Sequence, residues 1–275
     1  MILYPHAKIN VGLFVTGRRP DGFHDIETIL YPVALRDVLE INLVAGRGEC
    51  FLRCTGGDAG AIADNLVARA YRLLAKEFDL PSTRVHLHKL IPAGAGLGGG
   101  SADGAFALKG LDALCGLKLG EERLREYAAR LGSDCPFFIS GQPVAARGRG
   151  EVMEPVDLSL EAYRVVVVKP PRGISTAMAY REVSPRAARA DLSLATRRPV
   201  EQWEGVENCF EEVVAARVPE VREIKERLLE AGAAYASMTG SGSAVYGLFK
   251  HPVDARALFP GYFAWQSDGN PVNDI

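Results

Sequence analysis

The sequence predicts a mixed α and β protein built from two units. The chain has 275 residues, which suits about two domains of roughly 150 residues each. Its first half alternates strand-like with helix-like periodicity, and residues 142–155, which contain Pro143, Gly148, Gly150 and Pro155, interrupt that pattern. We therefore expect an N-terminal domain in residues 1–153 and a C-terminal domain in residues 154–275.

The elements of the first unit follow from the spacing of its apolar residues. Strand-like alternation occurs over residues 7–16, 26–32, 37–43 and 84–91. Helical spacing occurs over residues 65–78, 102–115 and 121–131, where the first of these helices has Asp64 or Asn65 as a suitable N-cap and Gly116 can end the second. These elements define the mixed α and β character of this half.

The second unit contains a strand over residues 163–169 and a helix over residues 219–231. The helix begins at a proline, ends before Gly232 and has Val221, Ile224 and Leu228 on one face. Two further strands, residues 233–238 and 244–249, flank the sequence Thr239-Gly-Ser-Gly-Ser243, which is longer than a hairpin turn requires. Residues 185–199, rich in Arg, Ala and Ser, are predicted to be a mobile surface segment.

Charge and cysteine usage argue against several classes of function. Thirty-two basic and 34 acidic residues give a net charge of −2, without a block of like charge, so we expect neither a nucleic-acid nor a membrane partner. The five cysteines are odd in number and include no Cys-x-x-Cys pair, which argues against a disulfide framework or a zinc site. Because the N-terminus lacks the pattern of a signal peptide, we expect a cytoplasmic protein.

Residues 92–104, here called the first glycine loop, carry the strongest functional signal. They read Pro-Ala-Gly-Ala-Gly-Leu-Gly-Gly-Gly-Ser-Ala-Asp-Gly and contain six glycines between a predicted strand and a predicted helix. Glycines let backbone amides turn toward an anion, and the N-terminus of a helix adds unpaired donors and a positive dipole end. The loop is therefore predicted to bind phosphate, although Gly100 stands where a P-loop has lysine.

Other interpretations of this loop stay open on sequence alone. Gly94, Gly96 and Gly99 fit the dinucleotide fingerprint, so an NAD-dependent oxidoreductase that binds ribose through Asp112 or Glu121 is one alternative. A flexible connection in which Ser101 caps the helix is another. Asp103 adds a condition: near a phosphate it must face away or have a cation such as magnesium between.

Two charged residues are candidates for phosphoryl transfer, which depends on positioned groups more than on covalent chemistry. Lys8 lies in a predicted strand from which its ammonium could enter a cleft, and Asp134 stands before an apolar segment where a carboxylate needs a partner. An edge-strand lysine and a helix N-cap are the alternative interpretations. His86 and His88 share a strand face, but without a third ligand we interpret them as surface residues.

These motifs, in this order, resemble the kinase superfamily of galactokinase, homoserine kinase, mevalonate kinase and phosphomevalonate kinase. The resemblance rests on Ala7-Lys-Ile-Asn10, Arg18-Arg-Pro-Asp-Gly-Phe-His24, Asp64-Asn-Leu66, Gly96-Leu-Gly-Gly-Gly-Ser101, Gly132-Ser-Asp-Cys-Pro-Phe137 and Thr239-Gly-Ser-Gly-Ser243. It is greatest to the isoprenoid-pathway members whose acceptor carries a cytidine diphosphate. It implies an S5-like N-terminal ATP-binding domain, a ferredoxin-like C-terminal domain and an active site in the cleft between them.

The resemblance also implies a role for individual residues. Lys8 and Asp134 form the catalytic pair, and Ser101 contacts the Mg2+ that accompanies ATP. The residues implied to bind ATP are Asn65, Pro92, Ala93, Gly94, Ala95, Gly96, Leu97, Gly98, Gly99, Gly100, Ser101 and Ala102. The residues implied to bind the acceptor are Asn10, Phe23, His24, Thr176 and Tyr180. Against the family pattern, Ala102 replaces a frequent serine, Gly104 a frequent alanine and Phe23 a frequent tyrosine.

The implied activity is ATP-dependent phosphorylation of an alcohol on a small molecule linked to cytidine diphosphate. A sibling kinase acting on a sugar, homoserine or mevalonate is the nearest alternative, and Phe23 with His24 favours cytidine because a planar ring could stack there. A catalytically silent nucleotide-binding regulator is a third possibility, against which the presence of both Lys8 and Asp134 argues. The sequence leaves the oligomeric state open.

Overall fold

The computed structural model describes residues 1–185 and 192–268, which form twelve strands and nine helices. The strands are β1 (Ile2–Leu3), β2 (His6–Arg18), β3 (His24–Arg36), β4 (Val38–Arg47), β5 (Cys50–Gly56), β6 (Pro81–Lys89), β7 (Val144–Gly148), β8 (Val152–Pro155), β9 (Arg164–Lys169), β10 (Tyr235–Met238), β11 (Val245–Phe249) and β12 (Phe263–Gln266). The helices are α1 (Leu66–Leu74), α2 (Gly99–Cys115), α3 (Gly120–Leu131), α4 (Phe137–Ser140), α5 (Thr176–Glu182), α6 (Ser193–Arg197), α7 (Glu211–Ala215), α8 (Glu220–Glu230) and α9 (Ala255–Leu258).

The strands form three sheets of four strands each, in the orders β1-β4-β6-β5, β2-β3-β7-β8 and β10-β11-β9-β12. All pairs are antiparallel except β5 and β6, which run parallel because α1 carries the chain back between them. Helices α1 to α4 share a core with the first sheet, and α7 and α8 share one with the third. The α+β fold class that we predicted is therefore confirmed.

Strand β2 is the element that positions the site. Residues 6–15 are all buried, because Ala7, Ile9 and Val11 share a core with residues of β9 and β11, while Leu13 and Val15 join the core around α8. A strand covered on both faces reads as a nearly continuous apolar run, which makes Lys8 and Asn10 within it conspicuous. Ala7, Ile9 and Val11 thus place one face of β2 against the third sheet, while Lys8 and Asn10 lie on the opposite face.

Each strand and helix predicted from periodicity overlaps an element of the structure, although α1 ends at Leu74 rather than at residue 78. The interpretation of residues 142–155 as an interruption was wrong in one respect. Strands β7 and β8 form a hairpin there, added to β3, and Gly148 and Gly150 turn the chain at φ +68° and +105°. The proposed division after residue 153 falls within β8 and stays a prediction.

Two further findings concern the predictions for the chain as a whole. Within the segment 185–199, residues 186–191 lie outside the described residues, whereas Ser193–Arg197 forms α6. Among the helices of the described part, none combines the length and the apolar character needed to cross a membrane.

Candidate active site

A cavity of about 590 Å³ opens beside the first glycine loop, a size in the usual range for small-molecule sites. Most of the residues implied to bind ATP, and both members of the proposed catalytic pair, line it. Its lining includes Lys8, Asn10, Asp58, Ala59, Gly60, Ala61, Asp64, Asn65, Lys89, residues 91–101, Asp103, Asp134, Thr176, Tyr180, Gly240 and Ser241. The lining comes from both halves of the chain.

The first glycine loop curls between β6 and α2 through three left-handed glycines. Gly94, Gly96 and Gly98 have φ values of +61°, +78° and +73°. Gly98 is the N-cap of α2 and supplies no side-chain hydrogen bond, so Ser101 is inside the helix rather than at its cap. The amides of the first turn consequently remain uncapped at the cavity, an arrangement that favours anions.

Ala102 differs from the rest of the loop. It is fully buried, and its amide donates to the carbonyl of Gly98 at 2.9 Å within α2. That N–H is therefore already paired and is not available to a phosphate.

Lys8 and Asp134 face each other across the cavity floor. The Lys8 Nζ to Asp134 Oδ2 distance is 3.7 Å, and the lysine side chain is 4% exposed whereas the aspartate side chain is 38% exposed. Burial lowers the pKa of Lys8, and the neighbouring Asp134 carboxylate opposes that shift. The structure therefore pairs a buried ammonium with an accessible carboxylate at one point of the cavity.

The first glycine loop lies directly on Lys8. The lysine amide donates to the carbonyl of Leu97 at 2.9 Å, and a Cβ added at Gly98 would come within 3.0 Å of Lys8 Cγ and 2.8 Å of the Phe138 ring. Only a glycine fits between these side chains. The loop and the ammonium are thus held at a fixed separation by backbone contact.

Asn10 links Lys8 to residues 239–243, here called the second glycine loop. Its Oδ1 accepts from Lys8 Nζ at 2.6 Å, from the Gly240 amide at 2.9 Å and from the Thr239 hydroxyl at 3.2 Å, while its Nδ2 donates to Thr28 Oγ1 at 2.9 Å. Asn10 is 3% exposed. Most of its hydrogen-bonding capacity is thus used within the protein, which favours a role in orienting Lys8 over a direct acceptor contact.

The two glycine loops touch backbone to backbone. A Cβ at Gly96 would overlap the Thr239 carbonyl oxygen, and Thr239 Oγ1 also lies 3.2 Å from the Gly96 carbonyl oxygen. Asn208 holds the second loop from behind, since its Nδ2 donates to the carbonyls of Met238 and Gly240 at 2.8 and 2.9 Å. The sequence left the role of the second loop open, and the structure gives it a supporting position.

Of the residues implied to bind the acceptor, two on α5 line the cavity, and Phe23 and His24 lie outside its lining. Thr176 and Tyr180, on α5, line the cavity, and the Thr176 hydroxyl lies 3.0 Å from that of Ser241. The Tyr180 ring packs at 5.2 Å from His24. Phe23 is 50% exposed, and the Arg149 guanidinium lies over its ring at 3.9 Å.

The imidazole of His24 has one nitrogen, Nε2, that is able to bind a ligand. Its Nε2 is buried and has no hydrogen-bond partner in the described part of the chain. Burial lowers the pKa of this imidazole, so it is neutral at physiological pH and offers one donor or acceptor at that nitrogen.

Asn65 is at once the N-cap of α1 and part of the cavity wall. Its Oδ1 accepts from the Val67 amide at 2.9 Å and its Nδ2 donates to the Ala59 carbonyl at 3.2 Å. It thereby fixes residues 58–61, which also line the cavity. This contribution was not predicted from the sequence. The run Gly56-Gly-Asp-Ala-Gly60 was the available signal, since it is a second glycine-rich turn after a strand.

The structure supports neither a metal site at His86 and His88 nor a dinucleotide-binding unit at the first glycine loop. Among the described residues there is no group of three or more His, Cys, Asp or Glu side chains placed to hold a metal ion. His86 and His88 both lie within 3.0 Å of the Thr55 hydroxyl instead. After α2 the chain continues into α3 and not into a strand parallel to β6, so the loop does not belong to a dinucleotide-binding βαβ unit.

A glycine loop at a helix N-terminus, beside a lysine and aspartate pair, is an arrangement that suits phosphoryl transfer. The model of the GHMP kinases N terminal domain matches residues 65–142, and that of the GHMP kinases C terminal matches residues 195–260. The chain belongs to the GHMP kinase family and is a small-molecule kinase.

Within this family, relatives that share one name match the chain over nearly its whole length. The chain is 47% identical to the 4-diphosphocytidyl-2-C-methyl-D-erythritol kinase of Parabacteroides distasonis, over 97% of this chain and 98% of that protein. It is also 47% identical to the enzyme of the same name from Bacteroides fragilis, with 98% and 99% covered. A crystal structure of 4-(cytidine 5'-diphospho)-2C-methyl-D-erythritol kinase superposes with a TM-score of 0.79 at 33% identity, covering 97% and 98%.

A more distant neighbour shares the fold alone. The crystal structure of homoserine kinase from Cytophaga hutchinsonii matches with a TM-score of 0.68 at 16% identity, over 97% of this chain and 96% of that one.

Proposed function

We propose that this kinase transfers the γ-phosphoryl group of ATP to the 2-hydroxyl of 4-diphosphocytidyl-2-C-methyl-D-erythritol in the non-mevalonate isoprenoid pathway. The relatives of that name, 47% identical over nearly the whole chain, support the choice of acceptor. The observation that carries the chemistry is the Lys8 and Asp134 pair, 3.7 Å apart at the floor of a cavity walled by the first glycine loop.

On the donor side, the uncapped amides at the start of α2 and the turned glycines hold the phosphates of ATP. The left-handed conformations of Gly94, Gly96 and Gly98 curl the loop around the cavity, where its backbone can approach an anion. Asn65 and residues 58–61 form the wall that holds the nucleoside end. The loop at the phosphates and this wall at the nucleoside end together position ATP for in-line transfer.

Mg2+ fits this site as a companion of ATP rather than as a resident ion. Mg2+ is commonly held by one or two protein groups together with substrate phosphates, and the Ser101 hydroxyl, in the first turn of α2, is our candidate contact. When bound, the ion neutralises charge on the phosphates. The protein must still supply a group that orients the attacking hydroxyl.

Asp134 supplies that group. Its accessible carboxylate accepts the proton of the acceptor hydroxyl, or orients that hydroxyl in a loose transition state, while Lys8 stabilises the charge that develops on the transferred group. The hydrogen bond from Lys8 to Asn10 fixes the ammonium in this position.

The acceptor is held by its cytidine end. The ring of Tyr180 provides one stacking face, and His24 Nε2, which has no partner among the residues that the structure describes, provides one hydrogen-bonding atom; together they suit a nucleobase. Phe23, beneath Arg149, offers a second aromatic face. We further propose a cytoplasmic location, which is consistent with five cysteines that form no disulfide in the described chain.

A panel of acceptors tests the substrate assignment. In a coupled assay that detects ADP, we expect turnover with 4-diphosphocytidyl-2-C-methyl-D-erythritol and none above background with mevalonate, homoserine or galactose. Robust phosphorylation of mevalonate or homoserine, without turnover of the cytidine compound, would show that the acceptor is wrong.

Replacing Tyr180 by leucine is expected to raise the KM of the cytidine acceptor by roughly 5- to 150-fold, because stacking on an aromatic ring is worth about 1–3 kcal/mol per base. The KM of ATP should stay within about twofold. Tyr180→Phe is the matched control, since it keeps the ring. Equal acceptor KM values for the leucine and phenylalanine variants would remove Tyr180 from the acceptor site.

A further inference from the structure

Three buried charged side chains lie together beneath the first glycine loop. They are Asp37, between β3 and β4, Lys89, the last residue of β6, and Asp103 on α2, and each is at most 5% exposed. We call them the buried triad. The catalytic chemistry described above uses none of the three.

Asp37 fixes the entrance to the loop. Its Oδ1 accepts from the amides of Leu90 and Ile91 at 2.5 and 2.8 Å, and its Oδ2 accepts from the Lys89 ammonium. One carboxylate therefore binds two consecutive backbone donors and the side chain that precedes them. Hydrogen bonds to an ionised acceptor are stronger than neutral ones, so this end of the loop is held firmly.

Lys89 carries the restraint to the other end of the loop. Its Nζ donates to Asp103 Oδ2 at 2.7 Å, and it lies 3.2 Å from the position that a Cβ on Gly99 would occupy. Asp103 is on the helix that the loop opens, so a single ammonium connects the residues before Pro92 with the first turns of α2. Asp103, which near a phosphate must face away or have a cation between, thus contacts the ammonium of Lys89.

The charge balance of the triad suits an anion site. Burial and, more weakly, the Asp37 carboxylate raise the pKa of Asp103 to about 8, against the opposing effect of Lys89. Protonation of Asp103, which this shift favours, leaves one carboxylate and one ammonium, and in that state the triad adds no net negative charge below the place where phosphates bind. Cys54 on β5 is a further titratable group near Asp103.

We propose that Asp37, Lys89 and Asp103 are positioning residues that set the affinity for ATP by holding the first glycine loop at both ends. The inference rests on the proposed function, because it assumes that ATP binds at this loop. It predicts that the triad affects donor binding strongly and the chemical step weakly, since none of its members touches Lys8 or Asp134 through a hydrogen bond found in the described residues.

Titration with a fluorescent ATP analogue that carries an N-methylanthraniloyl group, in the presence of Mg2+ and without acceptor, tests this proposal. Lys89→Met is expected to raise Kd at least tenfold, with kcat at saturating ATP and the KM of the acceptor within about threefold of wild type. Leu74→Ala, in the core beside α1, is the matched control, because it destabilises the same domain without contacting the triad. Its Kd should be that of wild type.

A second comparison applies even if the lysine variant fails to fold. Asp103→Asn keeps an oxygen for Lys89 and resembles the protonated acid, so Kd should stay within about threefold; Asp103→Leu has similar volume but breaks the connection to α2, and Kd should rise at least fivefold. Wild-type Kd in Lys89→Met, or equal Kd in the two Asp103 variants, would overturn the inference. Failure of the wild-type protein to bind the analogue would instead overturn the proposed ATP site.

Discussion

Replacing Lys8 by methionine is expected to lower kcat by about three orders of magnitude while the Kd of ATP changes less than about threefold. Methionine matches the length of the lysine stem, so the first glycine loop keeps its contact with Lys8 Cγ and with the backbone amide. What is lost is the ammonium that, in our proposal, stabilises the transition state beside Asp134. Such a group commonly contributes about 10²- to 10⁴-fold, and a factor of 10³ corresponds to about 4 kcal/mol.

Lys109→Met is the control for this experiment. Lys109 is also partly buried, with a pKa lowered by burial, but it packs over the Phe106 ring at 4.6 Å and does not line the cavity. Its replacement should leave kcat within about twofold. A similar loss of kcat in both variants would mean that any buried lysine of this domain is needed for folding rather than for chemistry.

The pH profile gives an independent check on Lys8. Burial lowers its pKa, so the ammonium is lost at a lower pH than in an ordinary lysine, and kcat should fall on the alkaline side before that ordinary value is reached. The residual activity of Lys8→Met should lack this decline.

Replacing Gly96 by alanine is expected to raise the Kd of ATP more than tenfold and to lower the melting temperature. The position has φ +78°, which costs a residue with a side chain about 1–2 kcal/mol, and the added Cβ would also overlap the Thr239 carbonyl oxygen. Because the atoms that the added Cβ would meet belong to the backbone of Thr239 and Gly240, one glycine loop has to move away from the other. The uncapped amides of α2 then lose the position that we propose for phosphate binding.

Gly48→Ala separates the effect of backbone strain from the effect of the overlap with Thr239. Gly48 has φ +79°, nearly the same conformation, but an added Cβ would meet nothing within 4 Å, and the residue lies in the turn between β4 and β5. This control should show the backbone strain in its melting temperature and wild-type binding of ATP. If Gly96→Ala bound ATP as tightly as Gly48→Ala, the contact between the two glycine loops would have no part in donor binding.

The residues that the sequence singled out and that the structure brings to one cavity are those whose type is unusual for their local setting. Lys8 interrupts an otherwise apolar buried strand, six glycines are far more than a strand-to-helix turn needs, and Asp134 precedes an apolar segment. Each is costly unless it has a partner, which is why such positions point to function. The mixed α and β character followed similarly from periodicity, because α2 and β2 bury wide apolar surfaces.

The parts that escaped prediction depend on contacts between distant residues. Asp37 and Lys89 are separated by 52 residues in the chain and meet only because β3, β4 and β6 bring them to one corner. Asn10 reaches the second glycine loop across 230 residues. Strands β7 and β8 have only five and four residues, so the pairing of β7 with β3 and of β8 with β7, rather than their own periodicity, decides their structure.

The central claim is that Asp134 and Lys8 act on a hydroxyl beside the phosphates of ATP, and single-turnover transfer in Asp134→Asn tests it most directly. Enzyme in excess is saturated with [γ-³²P]ATP, Mg2+ and the cytidine acceptor, mixed rapidly and quenched, and the labelled acceptor is counted. We predict that Asp134→Asn binds both substrates within about threefold of wild type and transfers phosphate at least a hundredfold more slowly. Transfer at the wild-type rate would contradict the assignment.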